Sequence, residues 1–400
     1  MTGASAIRPP FRRREGVLIV VLASLTAFGP MSIDMYLPGL PKIATDFGAS
    51  AADAQLTLST FFLGFGGGQL IYGPLSDRFG RRTPLLGGLV LFTIASVGCA
   101  FASSLNLLIA MRFLQAIGGC AGPVIARAMV RDLYDRDRAA RVLSLMILIM
   151  GIAPIMAPLV GSQILYFSGW RTIFWIIAGF GLACALATIA LLHETLPSDH
   201  RAHGGALAQV AAYAEPLTHM RFIGYAMSGA LVYGGMFVYI TGSPFVIITL
   251  FGFSPTAFSK IFALNVIGFL LGAGLNSRIV MRVGVDRMLG YGVLGAAGSG
   301  AVLVFFAAMG WGSPVGVLLP LFAYLTAIGL VGANAMAGCL SLFPSRAGVA
   351  SALAGTLQFL SGSLLSALLS ALNDGTAIPM AGIIAVAGIG SLVAQRTLTR

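Results

Sequence analysis

Apolar residues arrive in this chain as twelve separate blocks, each close to the length of about twenty residues that a helix needs to cross a hydrocarbon core. The blocks run over residues 17–37, 54–73, 84–103, 106–128, 142–166 and 172–192, and then over 222–250, 257–277, 287–308, 315–342, 347–371 and 376–395. In lipid every backbone N–H and C=O has to be satisfied by the protein itself, and a helix does this within a single segment. An all-α membrane protein of twelve transmembrane helices is therefore expected. A soluble globule is excluded, because charged residues make up only 9% of the chain and mean hydropathy is +0.93, against about a quarter charged in soluble domains.

Charge placement then orders the blocks. The stretch from His193 to Met220 holds His193, Glu194, Pro197, Asp199, Arg201 and Glu215 and reads as a solvated connection. It divides the chain into an N-terminal six-helix bundle (1–192), a central loop (193–220) and a C-terminal six-helix bundle (221–400). With both ends on one side, the loops of that side hold Arg78, Arg81, Arg82, Arg131, Arg136, Arg138, Arg141, Arg201, Arg221, Arg278, Arg282, Arg287 and Arg346, whereas the other side keeps Lys42, Arg171 and Lys260. Basic loops stay in the cytoplasm, so both termini are expected there. Arg8, Arg12, Arg13 and Arg14 precede the first block, and no small-residue cleavage site follows it, so that block reads as a retained span. The net charge of +11 then serves orientation and contact with anionic lipid headgroups, not nucleic acid. Cys99, Cys120, Cys184 and Cys339 all fall inside apolar blocks and read as packing residues.

The two halves share a feature. GPLSDRFGRR at 73–82 links the second and third blocks, and NSRIVMRVG at 276–284 links the eighth and ninth as a worn copy. Parallel repeats of this kind place a substrate site between them at mid-depth. In the first loop Asp77 lies among Arg78, Arg81 and Arg82 in a very short connection, where it can accept hydrogen bonds from guanidinium groups or cap a helix N-terminus. Gly73 and Gly80 permit tight turns. A conformational gate explains Asp77 and the glycines, which a merely basic loop does not.

GPLSDRFGRR resembles the signature loop of the major facilitator superfamily. With SIDMYLP at 32–38, QLTLSTFFLGFGGGQLIYGPLSDRFGRR at 55–82, RFLQAIGG at 112–119 and ETLP at 194–197, the chain is similar to the twelve-span drug and proton antiporters, and among them to the Bcr/CflA group of bacterial efflux proteins. The resemblance implies two pseudo-symmetric six-helix bundles and a monomer in the bacterial inner membrane. It implies export of small amphipathic antibiotics such as bicyclomycin or phenicols in exchange for protons. It also implies that Asp77, Arg78, Arg81 and Arg82 hold the cytoplasmic gate.

Asp34 and Arg112 are the acid and base that fall inside the spans away from their ends. A charge in hydrocarbon costs several kcal/mol unless it is paired or wet, so both are expected to face the bundle interior, either as a static pair or as a proton site. A carboxyl whose burial disfavours its charged form, and whose neighbouring cation favours it, exchanges protons according to access. The resemblance places an acid at Asp34 and an arginine at Arg112, and some relatives carry a second acid where this chain has Thr26. Gly151, Pro154, Pro158 and Gly161 in the fifth span predict bends and close packing, and resemble the antiporter motif, with Ala157 where a glycine commonly stands.

Tyr36, Gln115, Tyr239, Asn265, Asn334 and Gln358 are the candidate cavity residues, with Gln69, Tyr233 and Phe359 as further polar or aromatic groups. A mostly apolar pocket with few amides and phenols suits weakly polar drugs better than sugars or phosphates. All four histidines, His193, His200, His203 and His219, lie in the central connection, and no metal is expected even at His200 and His203. No GxxxxGK[ST] loop occurs, so no nucleotide or other cofactor is expected and coupling falls to the proton gradient. The competing reading with the same fold is a proton-coupled transporter of an amino acid or small peptide. An enzyme is not expected, because the spans offer no nucleophile with a base.

Overall fold

The structure, a computed structural model, describes residues 13–201 and 213–399, and among these residues every regular element is helical. Arg8, Arg12 and His203 lie outside the described residues. Ten helices are long and apolar enough to cross a membrane, and a bent pair at the N-terminus makes an eleventh. The remaining crossing is α4 (Ala51–Phe79), which spans 29 residues and is diluted by glycine, glutamine and threonine. Twelve crossing segments result, as the apolar blocks predict.

The first of them departs from expectation. In place of one helix over 17–37 the chain forms α1 (Arg13–Ser24) and α2 (Phe28–Asp34), with a bend of 42° between Gly16–Ser24 and the stretch Phe28–Asp46. Pro30 lacks the N–H that would bond the Thr26 carbonyl, which leaves the ladder open at the break. The Thr26 hydroxyl turns back to the Ala23 carbonyl at 2.7 Å. A 3-10 turn (Leu37–Gly39) and a short α3 (Leu40–Asp46) then cap the end opposite the arginine-rich loops.

α4 opens on a reciprocal cap: the Ser50 hydroxyl accepts from the Asp53 N–H at 3.1 Å, and the Asp53 carboxylate accepts from the Ser50 N–H at 3.2 Å. It is followed by α5 (Arg82–Ala100), α6 (Leu105–Leu133), α7 (Arg136–Ser168) and α8 (Trp170–Leu191). After a short α9 (Ala214–Thr218), α10 (Met220–Pro244) runs on as a π-helical turn (Phe245–Leu250). The second half is completed by α11 (Pro255–Val283), α12 (Val285–Met309), α13 (Val315–Leu342), α14 (Ala347–Ala371) and α15 (Ile378–Leu398).

Within the first half α6 packs on α4 and α5, and within the second α13 packs on α11 and α12. The halves meet along two helix pairs, α4 with α14 and α7 with α11. Hydroxyl-to-carbonyl hydrogen bonds cross this seam. Ser363 donates to the Ser59 carbonyl at 2.8 Å, Thr356 to the Gly66 carbonyl at 3.1 Å, and Ser259 to the Pro158 carbonyl at 2.8 Å. Each is a hydroxyl of the second half on a backbone oxygen of the first, and all three lie at middle depth or toward the α3 end. The outward faces are apolar, with Ile94, Leu319 and Val386 about two-thirds exposed, as lipid contact requires.

Candidate functional site

Asp34 closes α2 where the first crossing meets the seam, and it is 5% exposed. Among the described residues nothing donates a hydrogen bond to its carboxyl, and no cation lies within ion-pair distance. Its electrostatic neighbour is Tyr239 of α10, across the seam. The Tyr239 hydroxyl accepts from the Asn265 amide at 2.8 Å, and its ring stacks on Phe262 with centroids 5.6 Å apart. Tyr239 and Asn265, two of the candidate cavity residues, are thus gathered near Asp34.

Arg112 is elsewhere. It is fully buried inside the first half, its guanidinium carbon 4.2 Å from the Phe61 ring centroid and 4.5 Å from that of Tyr36. The expected ion pair with Asp34 is not formed. A guanidinium is flat and weakly hydrated, so aromatic faces replace much of what a carboxylate would supply. One polar chain leads away from it: Arg112 Nη1 donates to Gln115 Oε1 at 2.5 Å, Gln115 Nε2 to Ser96 Oγ at 2.7 Å, and Ser96 to the Phe92 carbonyl at 2.6 Å. Arg112 Nε and Nη2 have no hydrogen-bond partner among the described residues. Tyr36 sits beside this chain, its hydroxyl 2.9 Å from that of Thr57, whose proton goes to the Ala54 carbonyl at 2.6 Å.

The other candidate cavity residues divide. Asn334 donates to Asn276 Oδ1 at 2.6 Å, which ties α13 to α11 within the second half. Gln358 is half-buried on α14, its amide facing Gly229 of α10. Between them a patch of four rings spans the seam: Phe62 and Phe237 have centroids 4.4 Å apart, Phe65 and Phe359 4.7 Å, and Phe237 and Phe359 5.0 Å. Sequence reading named only Phe359 of this patch; the spacing of Phe62 from Phe65 on one face of α4 was the available signal.

The loop from Gly73 to Arg82 is organised by Arg81. Its guanidinium pairs with Asp77, donates through Nε to Asp132 at 2.9 Å and through Nη1 to Ser76 at 3.0 Å. Glu194 of the ETLP stretch accepts from the backbone N–H groups of Arg81 at 2.8 Å, Arg82 at 3.1 Å, Thr195 at 3.1 Å and Leu196 at 3.0 Å. Partial burial works against its charge, but these four donors prevail and hold the carboxyl below its ordinary range. Gly80 turns the chain at φ +87°, and a Cβ there would lie 2.4 Å from a Glu194 oxygen. Arg82 Nη2 donates to the Ile189 carbonyl at 2.8 Å, and Arg78 lies over the Phe79 ring. Gly73 packs near the Tyr213 hydroxyl.

In α7, Gly161 meets the first crossing so closely that a Cβ would fall 1.7 Å from the Met35 carbonyl oxygen. Pro158 offers its carbonyl to Ser259 across the seam, Gly151 faces Leu270 of α11, and Pro154 lies between them within the continuous helix. Sequence reading also treated Asp34 and Arg112 as the span-embedded charges, ending the fourth span at 128. α6 runs to Leu133, which leaves Arg127 well inside it. The continued run Ala128, Met129, Val130 was the signal for that extension.

A twelve-crossing helical protein with two halves meeting around a buried acid is a membrane transporter fold. The chain belongs to the Major Facilitator Superfamily, which its residues 22–366 match. It is 36% identical over 386 residues to the transporter YdgK of Bacillus subtilis, covering 96% of each chain. It is 29% identical to a bicyclomycin resistance protein homolog of Haemophilus influenzae, again covering 96% of each, and 31% identical to the multidrug resistance protein MdtL of Escherichia coli, covering 92% of each. These relatives agree with the Bcr/CflA resemblance. Among solved structures, a D-xylose–proton symporter superposes with TM-score 0.75 at 18% identity, covering 96% of this chain and 97% of its own. An inward-facing bacterial homolog of the Spinster transporter gives 0.72 at 17% identity, covering 97% and 98%. Members of this superfamily are transporters, not enzymes.

Proposed function

We propose that the chain exports small amphipathic compounds in exchange for protons, by rocking of its two halves about the seam. Asp34 carries this reading: it is a buried carboxyl at the seam with no cation and no donor among the described residues, so a proton is the available means of neutralising it. When the halves part and water or substrate reaches Asp34, the proton leaves; when they close, the cost of a bare charge in hydrocarbon favours its return. The seam supports the motion, because its hydroxyl-to-carbonyl bonds lie at middle depth and toward α3, where they can act as a pivot. By the charge bias that end faces the cytoplasm of a bacterial inner membrane, with both termini inside.

The aromatic patch of Phe62, Phe65, Phe237 and Phe359 supplies an apolar platform at mid-depth, and Tyr239 and Asn265 add two groups able to orient a polar tip. In this reading Asp77, Arg81, Asp132 and Glu194 set the stiffness of the gate on the cytoplasmic side. The related efflux proteins, named for bicyclomycin and for multiple drugs, point to antibiotics as the substrate class. The test is drug susceptibility of an efflux-deficient bacterial host expressing the chain, over a panel including bicyclomycin and phenicols. Raised resistance to at least one compound is expected. Unchanged susceptibility across the panel at full expression would remove the drug reading and favour a metabolite.

A further inference from the structure

Away from the seam, α12 and α13 part on the lipid side. On α12, Gly295, Ser299, Val302 and Phe306 follow one another at four, three and four residues and form a single stripe. Leu319 and Ala323 of α13 stand opposite, and between the two helices lies an open hollow of about 580 Å³. The helices touch at either end of it: a Cβ at Gly292 would lie 2.7 Å from Val331, and one at Gly316 would lie 3.0 Å from the Phe306 ring. Between these contacts Ser299 and Ala323 are too small to interdigitate, so the gap stays open. α12 packs on α13 and α15 and takes no part in the seam. Its outward side chains Leu294, Val302 and Phe305 are apolar and about half-exposed, so the hollow opens to lipid.

Its dimensions are those of a hydrocarbon chain in one leaflet. From Gly295 to Phe306 the stripe runs about 16 Å, close to half of a hydrocarbon core of roughly 30 Å. It lies in the half of the crossing next to the α12–α13 turn, where Trp311 is exposed and set edge-on to Phe305 in the manner of an interfacial aromatic. The volume spread over that length gives a width of about 6–7 Å. A helix, about 10–12 Å across, does not fit; an acyl chain, whose carbons meet their neighbours at about 4 Å, does. The Ser299 hydroxyl donates to the Gly295 carbonyl at 2.7 Å, so that side chain offers no free donor. The turn at 310–314 carries no charge that would select an anionic headgroup.

We propose that this hollow holds one acyl chain of a membrane phospholipid, in the leaflet next to the α12–α13 turn, and retains it longer than lipid along the rest of the wall. An apolar hollow of this kind is not filled by water. A chain lying in it touches two helices at once, where a chain on the open wall touches one, and its dispersion contacts multiply accordingly. The amphipathic compounds proposed for the seam would leave their amide and hydroxyl groups without a side-chain partner here. The site stands apart from the seam, so its occupancy does not depend on the export reading.

The test is photolabelling of the full chain in phosphatidylcholine nanodiscs doped with a phosphatidylcholine that carries a diazirine midway along one acyl chain. Peptide mass spectrometry then reads which residues the chain touches. Val302, Ile94 and Val386 are all aliphatic and stand seven, six and eight residues from the helix ends opposite the arginine-rich side, at similar depth. Exposure alone would favour Ile94 at 65% and Val386 at 67% over Val302 at 46%. Val302 is instead expected to carry several-fold more label than either. Ser299→Phe, or Ala323→Leu from the opposite wall, should bring Val302 down to their level, while Ser299→Ala keeps the excess. Label that follows exposure in the parent overturns the site. So does an excess at Val302 that chloramphenicol displaces, which would make the occupant a drug, or one that vanishes when two copies share a disc, which would make it a second copy.

Discussion

The turn between α4 and α5 and the turn between α11 and α12 share one backbone device and differ in what is attached to it. Gly80 and Gly284 take φ +87° and +93°, a region closed to most side chains, and each passes the chain from one long helix straight into the next. At Gly80 a Cβ would collide with Glu194, whereas at Gly284 nothing lies within 4 Å. Three residues before the glycine, the first turn has Asp77, paired with Arg81, and the second has Met281, 91% exposed. Where Arg81 gathers Asp77, Ser76 and Asp132, the second turn has Val285. The repeat has kept the geometry needed to pack its helices and has gathered more polar structure in the first copy, while the second keeps one tie, the Tyr225 hydroxyl of α10 donating to Asp286 at 2.6 Å. The first turn is therefore the more strongly coupled to its bundle, through Asp132 of α6 and through Glu194.

Four substitutions test that contrast. The largest effect is expected from Gly80→Ala, which combines backbone strain of about 1–3 kcal/mol with displacement of Glu194. Gly284→Ala meets open space and should cost only the strain, about 1 kcal/mol. Thermal unfolding of the purified protein compares them, and equal losses would break the contrast. Arg81→Ala should come next, at about 2 kcal/mol, since it strands Asp132 in a partly buried site. Arg282→Ala, at the matching end of α11, should leave unfolding within about 0.5 kcal/mol of the parent.

Among the first-turn substitutions the smallest effect is expected from Glu194→Gln, and it carries a pH signature. The folded-state carboxyl is held below the unfolded value near 4.5, so its contribution is present above that pH and is lost as pH falls through the lower folded value. The parent should be more stable than the variant at neutral pH, and the two should converge in acid below 4.5. A gap that stays constant with pH would mean that the carboxyl acts by shape alone.

Sequence reading reached the fold because lipid leaves a block of apolar residues few choices: the blocks at 315–342 and 347–371 coincide with α13 and α14. It missed the break in the first crossing, since no charge lies between Val17 and Pro30 to mark it and the cause is the missing N–H of Pro30. The site was legible residue by residue but not in its pairings. Asp34 and Arg112 suggested a salt bridge because opposite charges in hydrocarbon need a partner. The three-dimensional path instead turns Arg112 onto Tyr36 and Phe61 and Asp34 toward Tyr239, and no spacing along the chain encodes that choice. Thr57, Ser96, Asp132 and Asn276 went unnamed for the same reason: single polar residues acquire roles only through what packs opposite them.

The central claim is that Asp34 couples substrate movement to protons. Its most direct test is counter-transport in vesicles of purified protein with an imposed pH gradient, comparing the parent with Asp34→Asn after both are shown to unfold at similar temperatures. Gradient-driven flux in the parent, lost in Asp34→Asn while exchange without a gradient persists, is the predicted result. Gradient-driven flux that survives in Asp34→Asn contradicts the account.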